Sequence, residues 1–89
     1  MKVEWDEVKR RKNLTKHGLD FRDVGQVLER THVVVPSAQA HGEARFLAIA
    51  PVEGRYFAVV YTMRGDVYRI ISFRRARDEE KRTYQALYA

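Results

Sequence analysis

Two turn signals, Glu53-Gly54 and Arg64-Gly65, divide residues 43–73 into three short segments of strand character, 43–50, 55–62 and 66–73. Connections this short suit hairpins, so the centre of the chain is expected to be an antiparallel meander. His32-Val33-Val34-Val35 is a fourth candidate, a β-branched run that Pro36 is expected to end, with serine, alanine and glycine marking a loop between 37 and 42. Lys2 to Trp5 reads as a fifth, shorter strand.

Helical patterns lie on either side. Asp6 suits an N-cap and Gly18 a C-terminal stop, which predicts a polar helix ending at His17. Asp20 caps a second helix whose Phe21, Val24, Val27 and Leu28 face the core. From Arg75 onward, Ala76, Glu80, Tyr84 and Leu87 or Tyr88 fall on one helical face. Residues 1–89 are thus expected to form a single α+β domain: a mostly antiparallel sheet, two N-terminal helices and one C-terminal helix.

If both connections are two-residue turns, Val52 pairs with Arg55 and Met63 with Asp66. That register puts Glu43, Arg45 and Arg69 on one sheet face. It puts Tyr61, Tyr68, Ser72 and Arg74 on the other.

Composition narrows the function. The 89 residues carry 17 Lys+Arg against 12 Asp+Glu, a net charge of +5, and 45% are hydrophobic. A disordered basic tail lacks that apolar content. The excess is uneven: net +2 over residues 1–20, zero over 21–63 and +3 over 64–89. Cysteine is absent, which excludes disulfides and thiolate metal sites. No apolar run approaches the ~20 residues of a membrane span. The charged opening MKVEWDEVKRRK does not resemble a signal peptide, so a cytoplasmic protein is expected.

His17, His32 and His41 lack metal-binding spacing, Ser37 and Ser72 lack a nucleophile-elbow setting, and no phosphate-binding glycine loop occurs. RNA cleavage without metal or other cofactor asks for less. The 2′-hydroxyl is the nucleophile; the protein must align it, take its proton, stabilise the charged phosphate and protonate the leaving 5′ oxygen. Glu43, His17 and His41 are the acid-base candidates. Arg45, Arg69 and Arg74 are the foremost phosphate candidates, with RNA contacts expected from Lys9, Arg10, Lys12, Lys16, Arg64, Arg75 and Arg77. Tyr61 and Tyr68 are candidates for base stacking. Structural alternatives stay open. Lys16-His17-Gly18 also reads as a helix C-terminus, Glu43 and Arg45 as a pair closing the sheet, and Glu80 as the partner of a strand arginine.

Glu4-Trp5-Asp6-Glu7 with Lys9, Asn13, Lys16-His17-Gly18 and Phe21 resembles the opening of the BrnT family of bacterial toxins. Gly42-Glu43-Ala44-Arg45-Phe46 resembles that family's GExR segment. Arg69-Ile70-Ile71-Ser72-Phe73-Arg74-Arg75-Ala76, followed by Glu80 and Tyr84, is similar to its RIISAR-x-A motif and the helix after it. Phe73 stands where a small residue is usual, and Gly25 where alanine is common. The resemblance implies a RelE-like fold and an endoribonuclease toxin that arrests translation and growth. It implies a BrnA-like antitoxin with a ribbon-helix-helix domain, and operator DNA bound only through the toxin–antitoxin complex. A non-catalytic basic nucleic-acid-binding module, or a co-repressor, is the alternative.

Overall fold

A computed structural model describes residues 1–40 and 42–88. The elements in chain order are β1 (Lys2–Glu4), α1 (Glu7–His17), a 3-10 turn (Phe21–Asp23), α2 (Gly25–Leu28), β2 (Val33–Ala40), β3 (Glu43–Val52), β4 (Arg55–Arg64), β5 (Val67–Arg75) and α3 (Asp78–Tyr88). The five strands form one sheet in the order β1-β5-β4-β3-β2, antiparallel except where β1 runs parallel to β5. The α+β expectation is met. No helix among the described residues is long and apolar enough to cross a membrane.

Helix ends follow local chemistry. The Asp6 carboxylate accepts from the backbone N–H groups of Val8 and Lys9, and Gly18 closes α1 at φ 70°. Asp20 accepts from the Arg22 N–H and starts a 3-10 turn. The expected second helix is therefore this turn followed by the short α2. Phe21, Val24, Val27 and Leu28 are all buried nonetheless. They cover one sheet face, meeting Ala48, Ala50, Val59, Tyr61, Ile70 and Phe73.

Asp20 is also held by Arg22 and Arg10, with Arg10 bonded in turn to Glu7. The Arg22 guanidinium, then its backbone N–H, bring the Asp20 carboxyl from 3.8 down to about 2. A carboxyl with a depressed folded pKa stabilises the fold above its unfolded pKa, and that contribution is lost as pH falls through the folded value. Thermal melts should show stability falling from about pH 4 toward about pH 2. Asp20→Asn should flatten that slope; an unchanged slope would contradict the assignment.

Three strand expectations need correction. Pro36 does not end β2, which continues to Ala40 with a register irregularity after Ser37. As an edge strand, β2 can leave the proline nitrogen facing solvent, where no ladder donor is missed. The second hairpin closes on Arg64↔Val67, not Met63↔Asp66. Gly65, at φ 63°, occupies the first loop position, where a type II′ turn needs positive φ. The first hairpin closes on Val52↔Arg55 as expected.

The third correction matters most for the site. Val60 pairs with Ser72 but Tyr61 with Ile70, leaving Ile71 as the extra residue of a β-bulge. One extra residue flips every later side chain. Phe73 pairs with Val59 in the core, and Arg74 pairs with Ala58, whose face also carries Leu47 and Ile49. Arg74 therefore shares the face of Arg45 and Arg69 instead of opposing them, and Ser72 moves with it. Phe73, the departure from the family pattern, is buried against Phe57 on the face away from these arginines.

Beyond β1, the free edge of β5 is covered by α1. The Asn13 side chain accepts from the Phe73 N–H at 3.1 Å and donates to the Phe73 carbonyl at 2.8 Å, as a neighbouring strand would. It also donates to the Leu19 carbonyl. This satisfies backbone groups that would otherwise template strand addition, and it fixes which side of α1 turns toward the sheet.

Candidate active site

The sheet face opposite α2 has two halves. Along β3, Leu47 and Ile49 lie in an apolar cluster with Ala58, Val35, Val60, Ala76 and Tyr84, which α3 completes. Two and four residues before Leu47 stand Arg45 and Glu43. Strand alternation carries them onto the same face, but beyond the reach of α3. There a cleft of 280 Å³ is lined by Lys9, Glu43, Arg45, Thr62, Arg64, Arg69 and Ile71. Lys9 arrives from α1, Glu43 and Arg45 from β3, Thr62 and Arg64 from β4, and Arg69 and Ile71 from β5.

Four cations against one lining carboxylate give this cleft a positive charge balance. Two of these cations, Arg64 and Arg69, are paired with carboxylates. Glu4 is the register partner of Arg69 across the β1–β5 pair, and its Oε2 lies 2.7 Å from Arg69 Nη1 and 4.0 Å from Arg64 Nη1. Glu43 accepts from Arg64 at 3.2 Å. Thr62 donates its hydroxyl to the Ala44 carbonyl at 2.7 Å, tying β4 to β3 beside the cleft. Arg45 differs from Arg64 and Arg69. Its Nε is buried without a hydrogen-bond partner, and it makes no ion pair among the described residues.

The expected catalytic candidates separate. Glu43, Arg45 and Arg69 meet in the cleft, and so does Arg64. His17 lies in an adjoining 250 Å³ groove with Lys9, Lys12, Asn13, Lys16, Ile71 and Ser72. Arg74 is committed elsewhere. Its guanidinium forms a bidentate pair with Glu80 at 2.8 and 2.9 Å, both side chains mostly buried. Glu80 also accepts from the Arg77 N–H at the start of α3, half of a capping box. The Arg74 hydrogen bond holds the Glu80 carboxyl below its usual range despite burial. Glu80 is thus the strand-arginine partner the sequence suggested.

Of the other expected RNA contacts, Arg10 is bonded to Glu7 and Asp20, Arg75 sits over the Phe57 ring at 5.6 Å, and Arg77 lines a cavity against α3. Tyr61 and Tyr68, the base-stacking candidates, pack together at 5.1 Å between centroids on the opposite, α2-covered face, Tyr61 buried in the core and Tyr68 partly buried against it. Burial pushes the Tyr61 hydroxyl above its usual pKa. His41 lies outside the described residues. Glu4 is the contributor that residue-type reasoning missed. It becomes visible only when β1 is laid parallel to β5.

Among the described residues, no three His, Asp or Glu side chains cluster as a metal site would. Residues 5–80 match the model of a family described as the ribonuclease toxin, BrnT, of type II toxin–antitoxin systems. The chain belongs to the BrnT family. No curated protein matches it. Membership makes this BrnT chain a ribonuclease toxin of a type II system and implies an antitoxin partner. The match takes in Lys9, Glu43, Arg45, Thr62, Arg64 and Arg69 but begins one residue after Glu4.

Proposed function

We propose that this BrnT chain is a cytoplasmic, metal-independent endoribonuclease with a RelE-like fold, and that the Arg45 cleft is where RNA is cut. The observation that carries the reading is Arg45 itself: a guanidinium lining the cleft with no ion pair and no side-chain hydrogen bond among the described residues. A guanidinium without a carboxylate partner keeps its outer N–H groups for a phosphate, a charge-assisted pairing.

In this reading the scissile phosphate sits on Arg45 and Arg69, which stabilise the charge that grows on the non-bridging oxygens. Glu43 takes the proton of the 2′-hydroxyl as its oxygen attacks phosphorus. The bond from phosphorus to the 5′ oxygen breaks, and Lys9 returns a proton to that oxygen. The products are a 2′,3′-cyclic phosphate and a 5′-hydroxyl. Arg64, held by Glu43 and near Glu4, orients the base. A single lining carboxylate among four cations is a poor ligand set for a divalent metal, which supports the metal-free form of the reaction.

The proposal extends to the partner. A BrnA-like antitoxin with a ribbon-helix-helix domain blocks the toxin, and the complex represses its own promoter. Cleavage by the purified protein is expected to persist in EDTA. Complete loss that magnesium restores would overturn the metal-free mechanism.

A further inference from the structure

We infer that α1 provides a second RNA site, a row of lysines that holds backbone phosphates flanking the one in the cleft. The inference rests on the reading of the Arg45 cleft as the cleavage site. Three observations carry it. First, the cleft and the α1 groove share Lys9 and Ile71 in their linings, so they adjoin one another. Second, the groove is lined by Lys9, Lys12, Lys16 and His17 without a carboxylate. None of the three lysines makes an ion pair among the described residues, whereas Arg10 on the same helix is taken up by Glu7 and Asp20. Third, the helix is locked in rotation. Asn13 is buried against the Phe73 backbone. Lys9 and Lys16, four residues before and three after it, fall on the same side.

The row from Lys9 to Lys16 is about 10 Å long at ~1.5 Å per residue. Its length lies along the helix, leading away from the cleft. Lysine suits this role: a flexible point charge can follow the backbone of many RNA sequences. Arginine forks are concentrated instead in the cleft, where geometry must be fixed. The bulge contributes too, since Ile71 forms part of both walls. A single strand seated on Arg45 then continues onto Lys12 and Lys16.

The test uses a mixed-sequence 2′-O-methyl RNA oligonucleotide, which has no free 2′-hydroxyl and cannot be cut by this chemistry. Its binding to the full chain is followed by fluorescence anisotropy over a range of salt. The Lys12→Gln/Lys16→Gln variant is expected to lower the slope of log K against log salt by about 1.4, at ~0.7 per lost single-strand contact. Binding should weaken roughly 20-fold near 0.1 M salt. Arg55→Gln/Arg82→Gln removes the same charge from other elements and should leave the slope at the wild-type value. Equal slopes for the two double variants would overturn the lysine row. So would a lysine variant that binds RNA normally but binds antitoxin weakly, because α1 would then be a protein-docking face. Wild-type protein that cuts no unmodified RNA would instead overturn the reading of the cleft, and the binding slopes would still decide the row.

Discussion

Arg45→Ala is expected to lower RNA cleavage about 10²–10³-fold, the loss typical when one donor to a developing oxyanion is removed. The fold should survive. Arg45 makes no ion pair among the described residues, and its Nε is without a hydrogen bond, so truncation breaks little that holds the sheet together. Stability by thermal melt and cleavage by gel assay should therefore part company in this variant. Arg45→Lys should recover little, because an ammonium cannot reproduce a guanidinium fork. If the alanine variant melts like the wild type and cuts RNA at the full rate, the phosphate lies elsewhere.

Glu80→Ala is expected to have the opposite profile. It strands the Arg74 guanidinium in a mostly buried setting and removes the acceptor for the Arg77 N–H at the start of α3. Breaking a buried pair from one side costs about 3–5 kcal/mol. A domain of this length has only about 5–13 kcal/mol of total stability. Arg74→Ala should be similarly damaging, while Arg74→Met with Glu80→Leu should recover much of the loss, since apolar replacement of a buried pair is often neutral. A double-variant cycle in urea measures this. If Arg74→Ala keeps wild-type stability and loses only cleavage, Arg74 touches the substrate and the structural assignment fails. Raised expression of a harmless Arg74 variant would not separate the two; melting data do.

What could be read from sequence follows the range of the interactions. Asp6, Gly18 and Asp20 act on backbone within a few residues of themselves, so the start and end of α1 and the entry to the next turn were legible. So was the burial of Phe21, Val24, Val27 and Leu28, although the helix shrank to a turn plus α2. The meander was legible from its two glycine turns, yet the loop residues of the second turn were not, because either Arg64-Gly65 or Gly65-Asp66 is short enough. The bulge at Ile71 has no local signal of its own. Its consequence is large: it carries Arg74 to the opposite face and over to Glu80.

The site divides along the same line. Alternation alone brings Glu43, Arg45 and Arg69 to one face, and the structure keeps them there. Residue type alone could not say which arginines would be taken up by neighbours. Arg10 finds Glu7 one helical turn away, but Asp20 only where the chain folds back; Arg74 finds Glu80 and Arg75 finds Phe57 through tertiary or cross-strand proximity. Glu4 is 65 positions from Arg69 in sequence, and only the parallel β1–β5 register makes them neighbours.

The central claim is that the RNA supplies its own nucleophile and the cleft supplies only charge and proton transfer. End-group analysis of RNA cut by the purified chain in EDTA tests it directly. The account predicts fragments ending in a 2′,3′-cyclic phosphate, or the 3′-phosphate formed when that ring opens, each followed downstream by a 5′-hydroxyl. Fragments with 3′-hydroxyl and 5′-phosphate ends would show water attacking in place of the 2′-hydroxyl and would contradict it.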